Sequence, residues 1–224
     1  MIDISNVKTY GWEAAIRGMR NSWNSWEKSD SYLEVQKPGM KVQLGPMDLK
    51  LAANLAKKGG SHAKFRRMIG VSMDILAPRY WWAEFDTYKV GTVANSTSTM
   101  HTITNKEFTI DDFSHTSKGL MSAIAGMSMM NTVNTLNELR KLYLNEENKQ
   151  LKRMYWYDII QLLPQSYNQL RTVTMNYEVV THMCEDRLHH KLDEWQEFCR
   201  KMLANLPYAK ELIMDVEVEH DTHE

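Results

Sequence analysis

The residues best suited to chemistry lie between positions 170 and 195, where ionisable side chains recur at helical spacing. Glu178, His182 and Glu185 are four and then three residues apart, so on an α-helix they form one polar ridge. A polar ridge that runs beside a buried apolar stripe can line a ligand pocket. The same ridge also fits an ordinary solvated helix face, and composition alone leaves both interpretations open.

A fixed cation follows this ridge, close in sequence to imidazoles and an aromatic ring. Arg187 is followed by His189 and His190, and then by Asp193 and Trp195. A guanidinium, titratable imidazoles and a flat aromatic surface suit a phosphorylated or planar ligand. The alternative for Arg187 is a helix-dipole role, because a cation is favoured near the carbonyls that end a helix.

A strand followed by a helix must position these residues. The β-branched residues 172–174 come after Pro164 and predict a strand, and the pattern turns helical near Asn176. The predicted helix carries one apolar stripe, formed by Val179, Val180, Met183 and Cys184. A final amphipathic helix is predicted over residues 192–206 and is closed by Pro207.

The first half of the chain predicts helices and strands in alternation. A strand is predicted over residues 2–8, a helix over 12–23, and a second helix from Pro46 to the Gly59-Gly60 pair. Alternating apolar residues predict a strand with one wet face over residues 61–76.

The second half begins with a helix that starts at Pro78. Residues 87–103 are rich in Ser, Thr and Asn and predict a loop or edge strand, whose hydroxyls make it the second candidate site. Long helices are then predicted over residues 117–143 and 146–163.

Length and composition predict one α+β domain over residues 1–224. The hydrophobic fraction is 43% and the charged fraction is 25%, which is ordinary for a globular protein. A net charge of -1 provides no field to attract polymeric nucleic acid, so we expect none as a partner. Any affinity for anions must come from local clusters such as Lys64, Arg66 and Arg67.

The cysteines and the N-terminus predict a cytosolic protein that binds no membrane. Cys184 and Cys199 are not spaced as CxxC and predict reduced thiols that serve as small apolar groups. The first residues lack the order of a signal peptide, and no run approaches 18 apolar residues.

Several kinds of enzyme site have no support in the sequence. There is no glycine-rich phosphate loop, GxSxG elbow or HExxH helix. The histidines and cysteine at positions 182, 184, 189 and 190 do not have a recognised zinc-ligand spacing, so no metal site is predicted.

A methionine-rich segment predicts an interface. Residues 120–130 combine Met with Ala and Gly, which allow close helix packing. We expect this segment to be buried, partly between subunits of a homo-oligomer, because it would otherwise expose a large apolar patch.

Two stretches, residues 60–101 and 160–195, carry the spacing of a known family. His62 lies 25 residues before Thr87-Tyr88-Lys89, and Leu162-Leu163-Pro164 precedes Asn176, Glu178, His182 and Arg187. In this register the chain resembles the flavin-dependent thymidylate synthases, the ThyX family. In that family the histidine precedes an Arg-His-Arg motif, and the later residues of this chain lie in the register of the family's N-x-R-x(3)-N-x(4)-R pattern.

The resemblance implies a mixed sheet flanked by long helices, with sites between the subunits of a homotetramer. It implies a catalytic role for Arg187 against a uracil ring. It also implies the remaining site residues, which are His62, Asn95, Asn176 and His182 for FAD, and Arg79, Glu84, Lys89 and Ser98 for the nucleotide.

The chain departs from the family where the family places phosphate-binding charge. Thr87, Tyr88 and Lys89 replace the Arg-His-Arg motif, Ile160 replaces an arginine, and Glu178 replaces another. Each bidentate arginine contact contributes on the order of 1.5 to 3 kcal/mol, so the losses weaken nucleotide binding unless other cations compensate. The cations that could do so are Lys64, Arg66, Arg79 and Lys89.

Two functional hypotheses follow. In the first, the resemblance implies an enzyme that transfers a methylene group from methylenetetrahydrofolate to dUMP or a similar pyrimidine deoxynucleotide, with FAD supplying a hydride from NADPH. In the second, the protein keeps the fold and the oligomer as a non-catalytic binding or structural protein that has lost its flavin and phosphate contacts.

Overall fold

The computed structural model describes residues 2–36, 39–115 and 121–214 of the chain. No helix in this described part is long and apolar enough to cross a membrane. The first residues of the helix predicted over 117–143, as far as residue 120, lie outside it.

Helices make up most of the described chain, and strands accompany them. The helices are α1 (Trp12–Arg20), α2 (Pro46–Lys58), α3 (Arg79–Phe85), α4 (Thr99–Thr102), α5 (Ala123–Asn145), α6 (Lys149–Leu162), α7 (Tyr177–Arg187), α8 (Asp193–Asn205) and α9 (Ala209–Leu212). Short 3-10 helices occur at Asn21–Trp23, Trp26–Lys28, Gly60–Met68 and Ile110–Asp112. The strands are β1 (Asp3–Tyr10), β2 (Tyr32–Gln36), β3 (Gly39–Gln43), β4 (Gly70–Pro78), β5 (Val93–Ser96) and β6 (Asn168–Asn176). This combination confirms the predicted α+β class.

The strands form a four-stranded sheet and a hairpin. The sheet has the order β1-β4-β6-β5, so β5 lies at its edge, which confirms the edge strand predicted within residues 87–103. In the hairpin, β2 and β3 pair antiparallel, with Leu33 opposite Val42.

The chain divides into two compact units. Unit 1 comprises Met1–Asp3, Ile75–Thr87 and Asn95–Thr172. Unit 2 comprises Ile4–Asp74, Tyr88–Ala94 and Val173–Glu224, so it contains the polar ridge and Arg187. The organisation of residues 1–224 as one domain stays a prediction.

Unit 1 is built around the pair of long helices α5 and α6, which pack against each other. Side-chain caps fix where they begin, because Ser122 Oγ accepts from the N–H of Ala125 and Asn148 Oδ1 accepts from the N–H of Gln150. Helix α6 lies within its predicted range of 146–163, whereas α5 continues to Asn145, beyond the predicted end at residue 143. Their shared core consists of Ile103, Phe108, Phe113, Val133, Leu136, Ile159 and Leu163.

Three aromatic side chains of α3 form a second buried group in unit 1. Trp81, Trp82 and Phe85 lie with ring centroids 4.9 to 5.2 Å apart. The guanidinium carbon of Arg171 lies 4.3 Å from the centroid of the Trp82 ring, and Arg171 Nη1 pairs with Asp86 at 2.8 Å. These contacts give Arg171 a structural role on β6.

The methionine-rich segment is not buried within the chain. Ile124 is 80% exposed and Met127 is 70% exposed, and Met130 is exposed as well. Met129 is partly buried, because it faces the core of α5 and α6. Burial of the segment by its own chain is therefore a wrong prediction for those three side chains, while its burial between subunits stays a prediction.

A buried carboxylate organises the start of unit 2. Asp48 is fully buried on α2 and accepts hydrogen bonds from Arg20 Nε at 2.7 Å, from Ser29 Oγ at 2.8 Å and from Ser31 Oγ at 2.7 Å. The backbone N–H groups of Asp30 and Ser31 donate to the same carboxylate at 3.1 Å. Burial by itself raises the pKa of Asp48, but the hydrogen bonds from Ser31, Ser29 and Arg20 outweigh it and lower the pKa.

The segment before β4 corrects one prediction. A strand was predicted over residues 61–76, but Gly60–Met68 forms a 3-10 helix and β4 begins at Gly70. Ala63, Arg66 and Ile69 are buried at a spacing of three, which matches the period of a 3-10 helix, and Phe65 is buried beside them. The left-handed backbone at the Gly59-Gly60 pair, with φ of 65° and 51°, ends α2 where predicted.

The apolar stripe predicted on α7 is confirmed. Val180, Met183 and Cys184 are fully buried, and Val179 is half-buried. Cys184 and Cys199 are both buried free cysteines, as predicted. A hydrogen bond with Cys199 and burial raise the pKa of the Cys184 thiol, which keeps it protonated.

Candidate functional site

Helix α7 positions the candidate site of unit 2, and its first turn is fixed by Asn176. The backbone of Asn176 is extended, and its side-chain Oδ1 accepts a hydrogen bond from the N–H of Val179 at 3.0 Å. This is an N-cap, which sets the residue where the helix begins. The capped first turn of α7 lies next to Gly91. A Cβ atom added to Gly91 would lie 3.4 Å from Asn176 Nδ2.

At the other end of α7, Arg187 is held by two aromatic side chains. Its Nε–H donates to the hydroxyl of Tyr88 at 3.0 Å. Its guanidinium carbon lies 4.9 Å from the centroid of the Trp195 ring and 5.7 Å from that of Tyr88. Both distances are within the range of cation–π attraction, so the half-buried guanidinium has one preferred plane.

Tyr88 connects this cation to a carboxylate. Its hydroxyl donates to Asp186 Oδ2 at 3.2 Å while it accepts from Arg187. Burial raises the pKa of Tyr88, and the positive charge of Arg187 opposes this. The hydroxyl therefore stays protonated and keeps both hydrogen bonds at neutral pH.

One prediction about the neighbours of Arg187 needs correction, and a second neighbour has a local structural contact. Trp195 is fully buried, so it supports the guanidinium from within and offers no aromatic surface to a ligand. His190 is used in the turn before α8, where its Nδ1 accepts the N–H of Leu192 at 3.2 Å. The sequence therefore correctly indicates that Trp195 is a neighbour of Arg187. It wrongly indicates that the Trp195 ring is a surface for a ligand.

The polar ridge of α7 lines a cavity. Glu178, His182 and Glu185 all face a cavity of about 720 Å³ within unit 2. Arg66 and Lys57 face the same cavity, so its lining carries both signs of charge. The ridge therefore borders a cavity while His182 and Glu185 remain exposed to solvent, and its role in ligand binding stays a prediction.

Glu178 is engaged by a cation from the 3-10 helix before β4. Arg67 binds it through two nitrogens, with Nη2 donating to Glu178 Oε1 at 3.1 Å and Nε donating to Oε2. The resemblance places an arginine at position 178. In this chain the position is a glutamate, and it forms an ion pair with Arg67 that the sequence alone does not predict.

The other predicted site residues of unit 2 are exposed. His62 lies on the 3-10 helix rather than on a strand, and its side chain is exposed. Lys89 is also exposed, and it is the adjacent Tyr88 that contacts Arg187. His182 and Arg187 lie on the same helix but have different surroundings, the cavity for one and the aromatic rings for the other.

Four predicted site residues belong to unit 1. Arg79 is half-buried at the start of α3, where its backbone N–H donates to the carbonyl of Tyr167 at 3.0 Å. Glu84 is half-buried on the same helix. Asn95 is exposed on β5, and the carbonyl of Ser98 accepts from the Thr102 hydroxyl at 2.8 Å as α4 begins.

Sequence reasoning missed the roles of Tyr88 and Arg66. In the sequence, Tyr88 stands out only as a departure from the Arg-His-Arg motif, although an aromatic hydroxyl can hold a guanidinium. Arg66 was one of several compensating cations, and its spacing of three from the buried Ala63 and Ile69 was the available signal that it is buried.

Solved structures share this fold. The chain is similar to the flavin-dependent thymidylate synthase ThyX from Helicobacter pylori complexed with FAD and dUMP, with a TM-score of 0.64 and 17% identity over 94% of this chain and 99% of that one. A second ThyX structure from Helicobacter pylori with FAD and dUMP gives a TM-score of 0.65 and 16% identity over 96% and 98%. The sequence matches no protein-family model and no curated protein. Identities this low show a common fold.

Proposed function

We propose that the protein binds FAD and a pyrimidine deoxynucleotide such as dUMP, and transfers a methyl group to it using methylenetetrahydrofolate. The observation that carries the proposal is the arrangement of Arg187, a planar cation fixed between Tyr88 and Trp195. The ThyX-like fold supports it, because ThyX structures with this fold contain FAD and dUMP.

The residues of unit 2 fit such a ligand. A guanidinium presents its N–H donors in a fixed planar fork, and the hydrogen bond from Nε to Tyr88 holds the fork of Arg187 in place. The cavity of about 720 Å³ is of the size that small-molecule sites have, and His182 on α7 lines it. Under the proposal, Asn176, His182 and the exposed His62 and Asn95 hold the cofactor.

FAD, when bound, supplies the hydride that converts a transferred methylene into a methyl group. The task of Arg187 is electrostatic, because a fixed cation stabilises negative charge that develops on an electron-rich ring or its oxygen. Tyr88 keeps that cation oriented, and Trp195 excludes water from its inner face. An oriented charge costs no reorganisation when the charge of the reacting ring changes.

The proposal extends to the remaining parts of the site and to assembly. Arg79, Glu84, Lys89 and Ser98 contact the nucleotide. The exposed apolar side chains of α5 become covered in a homotetramer. In this homotetramer the ligand-binding sites lie between subunits. The buried free cysteines accord with a cytosolic protein.

The test is an activity assay on the purified protein. We expect FAD to co-purify or be taken up, and dTMP to form from dUMP only when methylenetetrahydrofolate and NADPH are both present, with mass spectrometry as the readout. The protein should also restore growth of a thymidine auxotroph. A folded protein that takes up no FAD and forms no product would refute the proposal.

A second candidate function is a non-catalytic binding or structural protein. Glu178 and Ile160 favour it, since both replace family arginines. Glu178 is occupied by Arg67, and Ile160 packs against the apolar core of α5 and α6. Neither residue is suited to bind a phosphate.

Ligand-dependent unfolding separates the two candidates. A ligand at 100 times its dissociation constant stabilises a folded protein by about 2.7 kcal/mol. The non-catalytic candidate predicts no thermal shift with FAD or dUMP, and a clear shift with either ligand eliminates it.

A further inference from the structure

Within the part of the chain that the structure describes, a buried cation of unit 2 carries a donor atom without a hydrogen-bond partner. Arg66 is only 9% exposed, and its Nε–H donates to no residue in the described part of the chain. It lines the cavity beside α7. Burying a charge is strongly unfavourable unless an opposite charge or hydrogen bonds compensate it.

The nearby carboxylates do not provide that partner. Glu178 is bound by Arg67 through two nitrogens, and Glu185 is exposed to solvent. Burial lowers the pKa of Arg66, and the negative charges of Glu185 and Glu178 oppose this. Because an arginine stays protonated in proteins, the unsatisfied Nε–H of Arg66 suits an acceptor that enters the cavity, and a charged acceptor binds it most strongly.

Arg66 differs from the other cations that could replace the missing arginines of the family. Lys64 and Lys89 are exposed, and Arg79 is half-buried in unit 1. Arg66 is both buried and part of the cavity lining. The other charged residues of that lining are Lys57, Lys210, Glu178, Glu185 and Glu211.

We propose that this cavity binds the phosphate group of a small molecule, and that Arg66 is the cation that holds it. A guanidinium matches two phosphate oxygens in a bidentate arrangement, which a lysine cannot reproduce. The cavity volume of about 720 Å³ leaves room for the organic body that carries the phosphate. The inference concerns phosphate and unit 2 alone, and does not depend on flavin chemistry.

The experiment is thermal unfolding of the full chain in phosphate-free buffer with increasing inorganic phosphate. The wild-type melting temperature should rise saturably. Arg66→Lys should show the rise with an apparent dissociation constant at least about tenfold larger, and Arg66→Met should show no saturable rise. Lys64→Met, which removes an exposed cation of the same 3-10 helix, is the matched control and should behave as the wild type.

The phosphate-free samples give a second, independent readout. Arg66→Met should melt at or above the wild-type temperature, because an apolar side chain of similar volume replaces a buried charge that has an unsatisfied donor. If Arg66 instead serves to neutralise Glu178 and Glu185, this variant melts lower or does not fold, and the proposal is overturned. Equal stabilisation of the wild type and Arg66→Met by phosphate overturns it as well.

Two further ligands identify the source of the phosphate. Saturation by dUMP at lower concentration than inorganic phosphate, with no effect of deoxyuridine, assigns the site to a nucleotide phosphate. Equal half-saturation by dUMP and inorganic phosphate assigns it to free phosphate. In both cases the effect must disappear in Arg66→Met, and a dUMP effect of unchanged size in that variant contradicts the proposal.

Discussion

The Nε–H of Arg187 donates to the hydroxyl of Tyr88 at 3.0 Å, which joins the end of α7 to a residue 99 positions earlier in the chain. Trp195 packs against the same guanidinium from the buried side. A helix-dipole role would need neither contact, because a surface cation near the last carbonyls suffices for it. The contacts with Tyr88 and Trp195 therefore indicate that Arg187 serves as an oriented cation.

Arg187→Lys tests that orientation. Lysine keeps the charge but loses the planar fork and the stacking, so we expect unfolding to become easier by about 1 kcal/mol and dUMP binding to weaken at least about tenfold. Urea unfolding and calorimetry measure the two effects. Tyr88→Phe is the matched variant, since it removes only the hydrogen bond and should weaken binding less. Unchanged binding in Arg187→Lys would remove Arg187 from the site.

The Asp48 carboxylate should be essential to the stability of unit 2. Asp48→Asn leaves Arg20 as a buried cation without its charged partner, so we expect a loss of about 3 kcal/mol in the free energy of unfolding. Urea denaturation at neutral pH measures it. Glu138→Gln breaks the exposed pair with Lys141 and should leave the midpoint unchanged. Similar midpoints for the two variants would contradict the buried role.

The same carboxylate gives the protein an acid limit. Its pKa is lowered in the folded chain, so the unfolded chain binds the proton first as pH falls. The stabilisation is present above the ordinary aspartate pKa of about 4 and is lost as pH falls below it through the folded value. We expect the acid unfolding curve of Asp48→Asn to be flatter than that of the wild type. Parallel acid unfolding curves of the two proteins would show that ionisable groups other than Asp48 determine the pH at which the protein unfolds.

A buried tyrosine gives a corresponding alkaline limit. Tyr177 is fully buried, its hydroxyl donates to the carbonyl of Pro207 at 2.7 Å, and burial raises its pKa. The unfolded chain therefore loses this proton first, and stability falls as pH rises above the ordinary tyrosine value of about 10. Tyr177→Phe should melt lower at neutral pH but show a smaller decline at alkaline pH. An unchanged decline would assign it to other tyrosines.

Local signals made parts of the fold predictable. Pro46 and Gly59 bound α2 because proline suits a first helical turn and glycine accepts a left-handed backbone. Phe65 misled the strand prediction, because it is buried two positions after Ala63, a spacing that resembles the alternation of a strand. Helix boundaries depend on neighbours in sequence, and these are visible in one chain.

The candidate site was less predictable because its contacts join distant positions. Arg67 and Glu178 are 111 residues apart, and nothing in one sequence shows that two opposite charges at that separation pair. Trp195 was near Arg187 in sequence, but its burial depends on how α8 packs. The identity of the residues was visible, while their partners were set by tertiary packing.

The exposed side chains of α5 predict assembly. Ile124, Met127 and Met130 place large apolar groups on the surface of unit 1, and contact with another copy would remove them from water. Sedimentation at micromolar concentration should show a species larger than the 26.2 kDa chain, and Met127→Glu should shift it towards the monomer. A wild-type protein that sediments as a monomer would contradict this prediction.

The most direct test of the proposed function is the flavin absorbance of the purified protein after incubation with FAD and removal of the excess. We predict that the folded wild type retains FAD, that dUMP then shifts the flavin spectrum saturably, and that Arg187→Lys retains its fold but needs at least about tenfold more dUMP for the same shift. A folded, colourless wild-type protein would contradict the proposal, as would a flavin spectrum that does not respond to dUMP.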